Sequence, residues 1–241
     1  MRILPYRNGR NAMEGLLLTF VDVTMLKTAE EEQRQLIGEL NHRVKNMLAV
    51  VAALARQTLK KTADKPEYAT FLGRLQALAS AYDLLTRDGW GNVPLRDVVL
   101  SEMEPYVGRQ KERLVLEGRD VLLRPRAALA LGMVVHELAT NALKYGALSV
   151  PEGRVTVTWE IGERDRNAAL RVQWREVGGP EVTGPSHEGF GSKLIAQQIR
   201  YELRGDAMVN YPPSGLEAAF TVPIEETCGG GGDEEVRENR T

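Results

Sequence analysis

Residues 36–54 read LIGELNHRVKNMLAVVAAL. The apolar positions Ile37, Leu40, Val44, Met47, Val51 and Leu54 recur alternately three and four apart, the a/d spacing of a helix with an apolar seam. The helical pattern begins at Glu30 and is punctuated by Pro66. Tyr68, Phe71, Leu75, Leu78, Tyr82 and Leu85 then repeat it as far as Asp88-Gly89. Two amphipathic helices joined by a short turn fold back antiparallel, and a single hairpin covers only half of its apolar stripe. The remainder needs a partner, either a second copy of the chain in a four-helix bundle or the neighbouring domain. His42 takes the f position when Ile37 is called a, opposite the seam, so its imidazole faces solvent. Gly38, one turn earlier, costs about 1 kcal/mol relative to alanine in a helix interior, yet it clears the N-terminal approach to the ring.

After Asn92 the heptads give way to an alternation of helices and strands. Residues 94–107 and 124–145 read as helices, the second with Pro125 near its start, where a proline is tolerated. Residues 113–116, 155–161, 169–174 and 218–224 read as strands from their β-branched or aromatic alternation, and 193–203 as a further helix. At the other end, residues 16–23 form a β-rich run after the turn-like Arg7-Asn8-Gly9-Arg10. From Thr227 the chain carries four successive glycines and then mostly charged residues, a composition that leaves little apolar surface to bury. The expected divisions are 1–26, a helical hairpin over 27–91, an α/β sandwich over 92–226, and a disordered tail over 227–241.

Composition narrows the function classes. With 241 residues, 43% hydrophobic and 27% charged, the chain has the make-up of a folded soluble protein. Its 31 Lys and Arg against 33 Asp and Glu leave a formal charge of −2, which argues against nucleic acid as a partner. The longest apolar stretch, 127–135, is interrupted by Gly132 and falls far short of the ~20 residues of a membrane span. Cys228 is the only cysteine, and the N-terminus lacks a charged start followed by an apolar segment. A reducing cytoplasm is the expected location.

Four ordered motifs carry a resemblance. Glu39-Leu40-Asn41-His42-Arg43-Val44-Lys45-Asn46 resembles the phosphoacceptor box of the HWE subfamily of sensor histidine kinases. His136-Glu137-Leu138-Ala139-Thr140-Asn141-Ala142-Leu143-Lys144-Tyr145-Gly146-Ala147 resembles that subfamily's nucleotide-metal box, with its diagnostic histidine. Trp174-Arg175-Glu176 followed by Gly178-Gly179-Pro180 resembles its tryptophan-x-glutamate box, and Gly189-Phe190-Gly191-Ser192-Lys193-Leu194-Ile195 its second glycine box. The resemblance covers about residues 30–225. It implies an α+β fold: an antiparallel two-helix dimerisation and phosphoacceptor hairpin, then an α/β sandwich ATP-binding domain of the histidine-kinase/Hsp90-like type. The run ending in Asp22-Val23-Thr24 resembles the last strand and exit helix of a PAS sensor domain, with a short capping hairpin as the alternative.

The residues support the same chemistry. On the helix 124–145, Glu137, Asn141 and Lys144 fall on one face, opposite Leu131, Val135 and Leu138. That face offers hard oxygen ligands and a cation. Mg²⁺ prefers oxygen donors and sits between a protein group and nucleotide phosphates, so Asn141 and Glu137 are the expected metal contacts, with Lys144 on phosphate. Gly178 and Gly179 on one side and Gly189 and Gly191 on the other bracket residues 180–188, a loop suited to close over ATP. Gly189 and Gly191 precede a helix, so backbone N–H groups can approach the phosphates. No Walker string is present. Glu176 stands where the wider kinase family carries an aspartate for the adenine amino group, and His187 reads as an ordinary loop residue. His136 lies about 100° around the helix from Glu137, and the expectation is a half-buried imidazole bonded to the backbone or to the neighbouring Trp174-Arg175-Glu176 strand, holding Glu176 at adenine.

The implied activity is autophosphorylation of His42 from Mg²⁺-ATP, followed by transfer to an aspartate of a response-regulator receiver domain, in a homodimer joined through the hairpin. In most histidine kinases an acid directly follows the acceptor; here that residue is Arg43, so Glu39, one turn earlier, is the candidate to orient the ring. The rival readings are a docking module that relays phosphate without catalysis, and a metabolic ATPase of the same fold.

Overall fold

The computed structural model describes residues 2–7, 13–19, 21–58, 66–87, 91–108, 110–164, 167–181 and 190–228. They fall in two compact units, Met1–Leu40 and Asn41–Thr241. In the first, β1 (Arg2–Arg7) and β2 (Met13–Thr19) form an antiparallel hairpin with Leu4 opposite Leu17. The strand expected to run on to Val23 stops at Thr19. Asp22 turns the chain instead: its Oδ1 accepts from the Thr24 backbone N–H at 2.9 Å and opens α1 (Thr24–Thr58). Hydrogen bonds from Thr24 hold the Asp22 carboxyl below its ordinary value.

The second unit carries the rest of α1, then α2 (Pro66–Arg87), β3 (Val93–Pro94), α3 (Leu95–Val107), β4 (Leu114–Gly118), β5 (Leu122–Leu123) and α4 (Pro125–Lys144). After these come β6 (Arg154–Arg164), β7 (Asn167–Val177), α5 (Phe190–Ala196) with a π-helical extension Gln197–Glu202, β8 (Asp206–Asn210), β9 (Glu217–Pro223) and α6 (Ile224–Thr227). Five strands make one sheet in the order β4-β6-β7-β9-β8, parallel between β4 and β6 and antiparallel elsewhere. Strand alternation sends Val155, Val157 and Trp159, Leu170, Val172 and Trp174, and Ala218, Phe220 and Val222 into the core. Val98, Val99 and Met103 of α3 and Leu131, Val135 and Leu138 of α4 join them there. The architecture is α+β, as expected. β8 is an addition to the expected strands, its alternation being short and weakly apolar.

The helices before residue 91 pack differently from the heptad expectation. In α1, Val44, Leu48, Ala52 and Ala55 are half-buried while Met47, Val51 and Leu54 of the expected seam are exposed. Lys45 pairs with Asp83, tying α1 to α2. In α2 the buried positions are Ala77, Ala81 and Leu85, and their partner is α4 rather than α1. Small residues explain the choice: a Cβ added to Gly132 would lie 3.6 Å from the Ala81 Cβ, so the two helices approach closely. Packing therefore continues through the boundary expected after residue 91. The expected tail also starts too early. Thr227 is fully buried, its carbonyl accepts from the Arg124 N–H at 2.8 Å, and Cys228 bridges to Leu123; residues 229–241 lie outside the described residues.

Candidate functional site at the end of α4

α4 begins with Pro125 in its first turn and ends with Lys144, a cation where unpaired carbonyls favour one. It is covered on two sides. Leu131, Val135 and Leu138 face the sheet, while Gly132, His136, Glu137 and Lys144 meet α2, which runs antiparallel to it. The face expected to be solvated is thus only partly so: Lys144 is exposed, Asn141 half-buried, and Glu137 buried at 3% exposure. Arg74 of α2 is the reason. Its Nε donates to Glu137 Oε1 and its Nη2 to Oε2 at 2.7 Å, a two-point guanidinium–carboxylate pair. The Phe190 ring stacks on that guanidinium, with its centroid 4.4 Å from Cζ. Lys144 Nζ donates to Thr70 Oγ1 at 3.0 Å.

The start of α5 comes to the same place. A Cβ on Gly191 would lie 2.9 Å from Glu137 Oε2 and 3.9 Å from Asn141 Nδ2, so the chain after the glycine box lies directly against both expected metal ligands. Gly189 and His187 lie outside the described residues. This donor set suits Mg²⁺ in part. Asn141 offers an amide oxygen, whereas both Glu137 oxygens are already engaged by Arg74. Among the described residues no group of three or more His, Cys, Asp or Glu could hold a metal by itself.

Glu176 sits below the C-terminus of α4. Strand parity places it on the inner row of β7 after Leu170, Val172 and Trp174, and it is 2% exposed. Its Oε2 accepts from the Ala147 N–H at 2.8 Å and its Oε1 from Trp174 Nε1 at 3.1 Å. Burial pushes its carboxyl up, and the two hydrogen bonds only partly offset this. Trp174 is itself buried and acts here as the donor that orients Glu176. Gly146 allows the arrangement, because a Cβ there would fall on Glu176 Oε2. Gly178 turns the chain at φ +73°, bringing Gly179 against the Ala147 backbone, where a Cβ would lie 2.7 Å from Cα. Arg113 ties down the same loop, donating to the carbonyls of Gly153 at 2.9 Å, Ala147 at 3.3 Å, and Val150.

His136 corrects its expected partner. It is buried, but its Nδ1 lies 3.1 Å from Glu102 Oε2 on α3, not on the β7 strand, and Glu176 is held by Ala147 and Trp174 instead. A Cβ on Gly73 of α2 would lie 3.2 Å from His136 Nε2, and Tyr106 meets the ring edge-on with centroids 6.3 Å apart. The cause is angular: on α4 the direction of His136 points between α2 and α3, away from the sheet. Burial pushes the Tyr106 hydroxyl pKa up, and the carboxylates of Glu102 and Glu137 add to it. His42 and Glu39 are both exposed on α1.

Arg74, Glu102 and Arg113 are functional neighbours that the motifs do not single out. Arg74 is discernible in the sequence as a lone charge on the small-residue stripe Gly73, Ala77 and Ala81. Glu102 is discernible as an acid among Val98, Val99 and Met103. Arg113, the first residue of an expected strand, carries no such signal.

With the geometry in place, the comparisons agree on the family. Residues 39–120 match the sequence model of the HWE histidine kinases. A blue-light-activated histidine kinase of Brucella anthropi is 35% identical over 212 residues, covering 87% of this chain and 43% of that protein. The Brucella ovis protein of the same name is 36% identical over 205 residues, 84% and 42% of the two chains. This chain is a member of the HWE histidine kinase family. It spans less than half the length of the curated relatives it matches. The fold agrees as well: the histidine kinase domain of a blue-light activated histidine kinase from Erythrobacter litoralis superposes with a TM-score of 0.52 at 19% identity, over 81% of this chain and 94% of that one. A longer structure of that protein gives 0.57 at 20% identity, over 81% and 61%. No helix among the described residues is long and apolar enough to cross a membrane.

Proposed function

We propose that this HWE kinase chain transfers the γ-phosphoryl group of Mg²⁺-ATP to His42 and then yields it to an aspartate of a response-regulator receiver domain. The observation that carries this reading is the pairing of an exposed His42 on α1 with a separate polar end of α4, where Asn141, Lys144 and the start of α5 converge. Asn141 holds the metal side of the nucleotide, Lys144 meets phosphate, and the backbone at the start of α5 supplies N–H donors. Mg²⁺, when bound, supplies charge neutralisation of the phosphates; positioning and electrostatics from this chain do the rest. A carboxylate has about four acceptor sites, so Glu176 keeps capacity for the adenine amino group after bonding Ala147 and Trp174. Neutral imidazole is nucleophilic near pH 7, so an exposed His42 needs little activation in the absence of an adjacent acid. The exposed Met47, Val51 and Leu54 are the surface on which a second copy would dimerise. The PAS-like reading of the first residues stands as part of this proposal.

The test is incubation with γ-labelled ATP, followed by acid and by base. Phosphohistidine is acid-labile and base-stable, and His42→Gln is expected to abolish the label while nucleotide affinity stays within about twofold. An acid-stable label, or labelling retained in His42→Gln, would overturn the assignment. ATP binding without any label would favour the relay module.

A further inference from the structure

The Arg74–Glu137 pair joins a helix of the hairpin to the carboxylate expected to serve the metal. Both Glu137 oxygens are bonded to one guanidinium, Glu137 is buried and Arg74 half-buried, and Phe190 lies over the guanidinium. A dication brought to the same oxygens would lie within a few ångströms of a fixed positive charge from which water is largely excluded. Lys144 repeats the pattern further along α4, since its ammonium is held by Thr70 of α2.

We propose that Arg74 is a positioning residue that withholds Glu137 from the metal. With Arg74 seated, Mg²⁺ and nucleotide are held from Asn141 alone on α4; Glu137 joins only when α2 gives up this contact. The inference rests on the nucleotide reading above. It makes docking of α2 on α4 and Mg²⁺-dependent nucleotide binding mutually opposing, and linkage requires the opposition to be reciprocal. Phe190, within the second glycine box, then covers the guanidinium of the pair.

The experiment measures binding of a non-hydrolysable ATP analogue to the whole chain, with Mg²⁺ and with chelator, in wild type, Arg74→Gln and Arg74→Lys. Arg74→Gln is expected to tighten binding about tenfold with Mg²⁺ and to leave it unchanged with chelator, with Arg74→Lys between the two. Equal or weaker Mg²⁺-dependent binding in Arg74→Gln overturns the proposal. Absence of binding by every protein under both conditions overturns the nucleotide reading and this inference with it, a pattern distinct from unchanged affinity. Hydrogen exchange in the wild type gives a readout free of any folding defect in a variant. The α2 amides around Arg74 are expected to exchange several-fold faster with analogue and Mg²⁺ than with analogue and chelator, and no difference refutes the proposal.

Discussion

Glu176→Gln tests whether the buried carboxylate frames the nucleotide end of α4. Two N–H donors, from Ala147 and Trp174, converge on its two oxygens. A glutamine of the same shape offers one oxygen and one NH₂, so one of the buried donors faces another donor. An unmet buried donor costs about 1–3 kcal/mol, and about 2 kcal/mol at this site corresponds to a melting-temperature loss of roughly 4–8 °C in a domain of this size. The pH dependence has a defined sign. Burial raises the folded-state pKa of Glu176 above its ordinary 4.5. Its contribution to stability is therefore complete below that value and is lost as pH rises through the folded-state pKa. Glutamine does not titrate. The difference between wild type and Glu176→Gln should thus be widest near pH 5 and narrow towards pH 8, as followed by circular dichroism melts. A variant as stable as wild type at pH 5, or a difference that grows with pH, would refute the framing role.

Two further substitutions separate the metal side of the site from its support. Asn141→Asp replaces an amide donor with a second carboxylate beside Glu137 and is expected to weaken Mg²⁺-dependent nucleotide binding about tenfold with little change in melting temperature; unchanged calorimetric affinity would remove Asn141 from the metal site. His136→Ala deprives the buried Glu102 of its hydrogen-bond partner and opens a gap beneath Gly73, so a loss of about 3 kcal/mol is expected in urea denaturation, partly recovered by adding Glu102→Gln. A stability change under about 1 kcal/mol in His136→Ala would contradict the buried pair.

The two helices before residue 91, the long helix and four of the sheet's five strands were legible because each rests on a periodicity carried by the residues themselves. What covers a given stripe is not written in its period. The spacing of Tyr68, Phe71, Leu75, Leu78 and Tyr82 marks an amphipathic helix, but the face that is most buried follows Ala77, Ala81 and Leu85, because Gly132 on α4 permits a closer approach than the larger residues of α1. A stripe of small residues scores poorly as apolar and packs well. The same limit explains Glu176. Its chemistry pointed to a nucleotide contact, while the period of two that buries Trp174 already required its side chain to turn inward, and that second reading was available from the residues.

Glu137 shows why the candidate site was harder to read than the fold. On a helical wheel it shares a face with Asn141 and Lys144, and a helix with one apolar face is expected to leave that polar face to solvent. α4 is packed against the sheet on one side and against α2 on another, so the polar face is divided along its length. Glu137 lies beneath α2, Lys144 lies at its edge, and Asn141 lies between them. The division has a chemical consequence. A carboxylate under α2 needs a cation from α2, and Arg74 is placed one residue after Gly73, the position where α2 comes closest to His136. The close approach and the ion pair are therefore one feature of the packing: a bulkier residue at 73 would lift α2 from His136 and draw Arg74 away from Glu137 together. α2 is thus a wall of the candidate nucleotide site as well as a neighbour of the helix that carries His42.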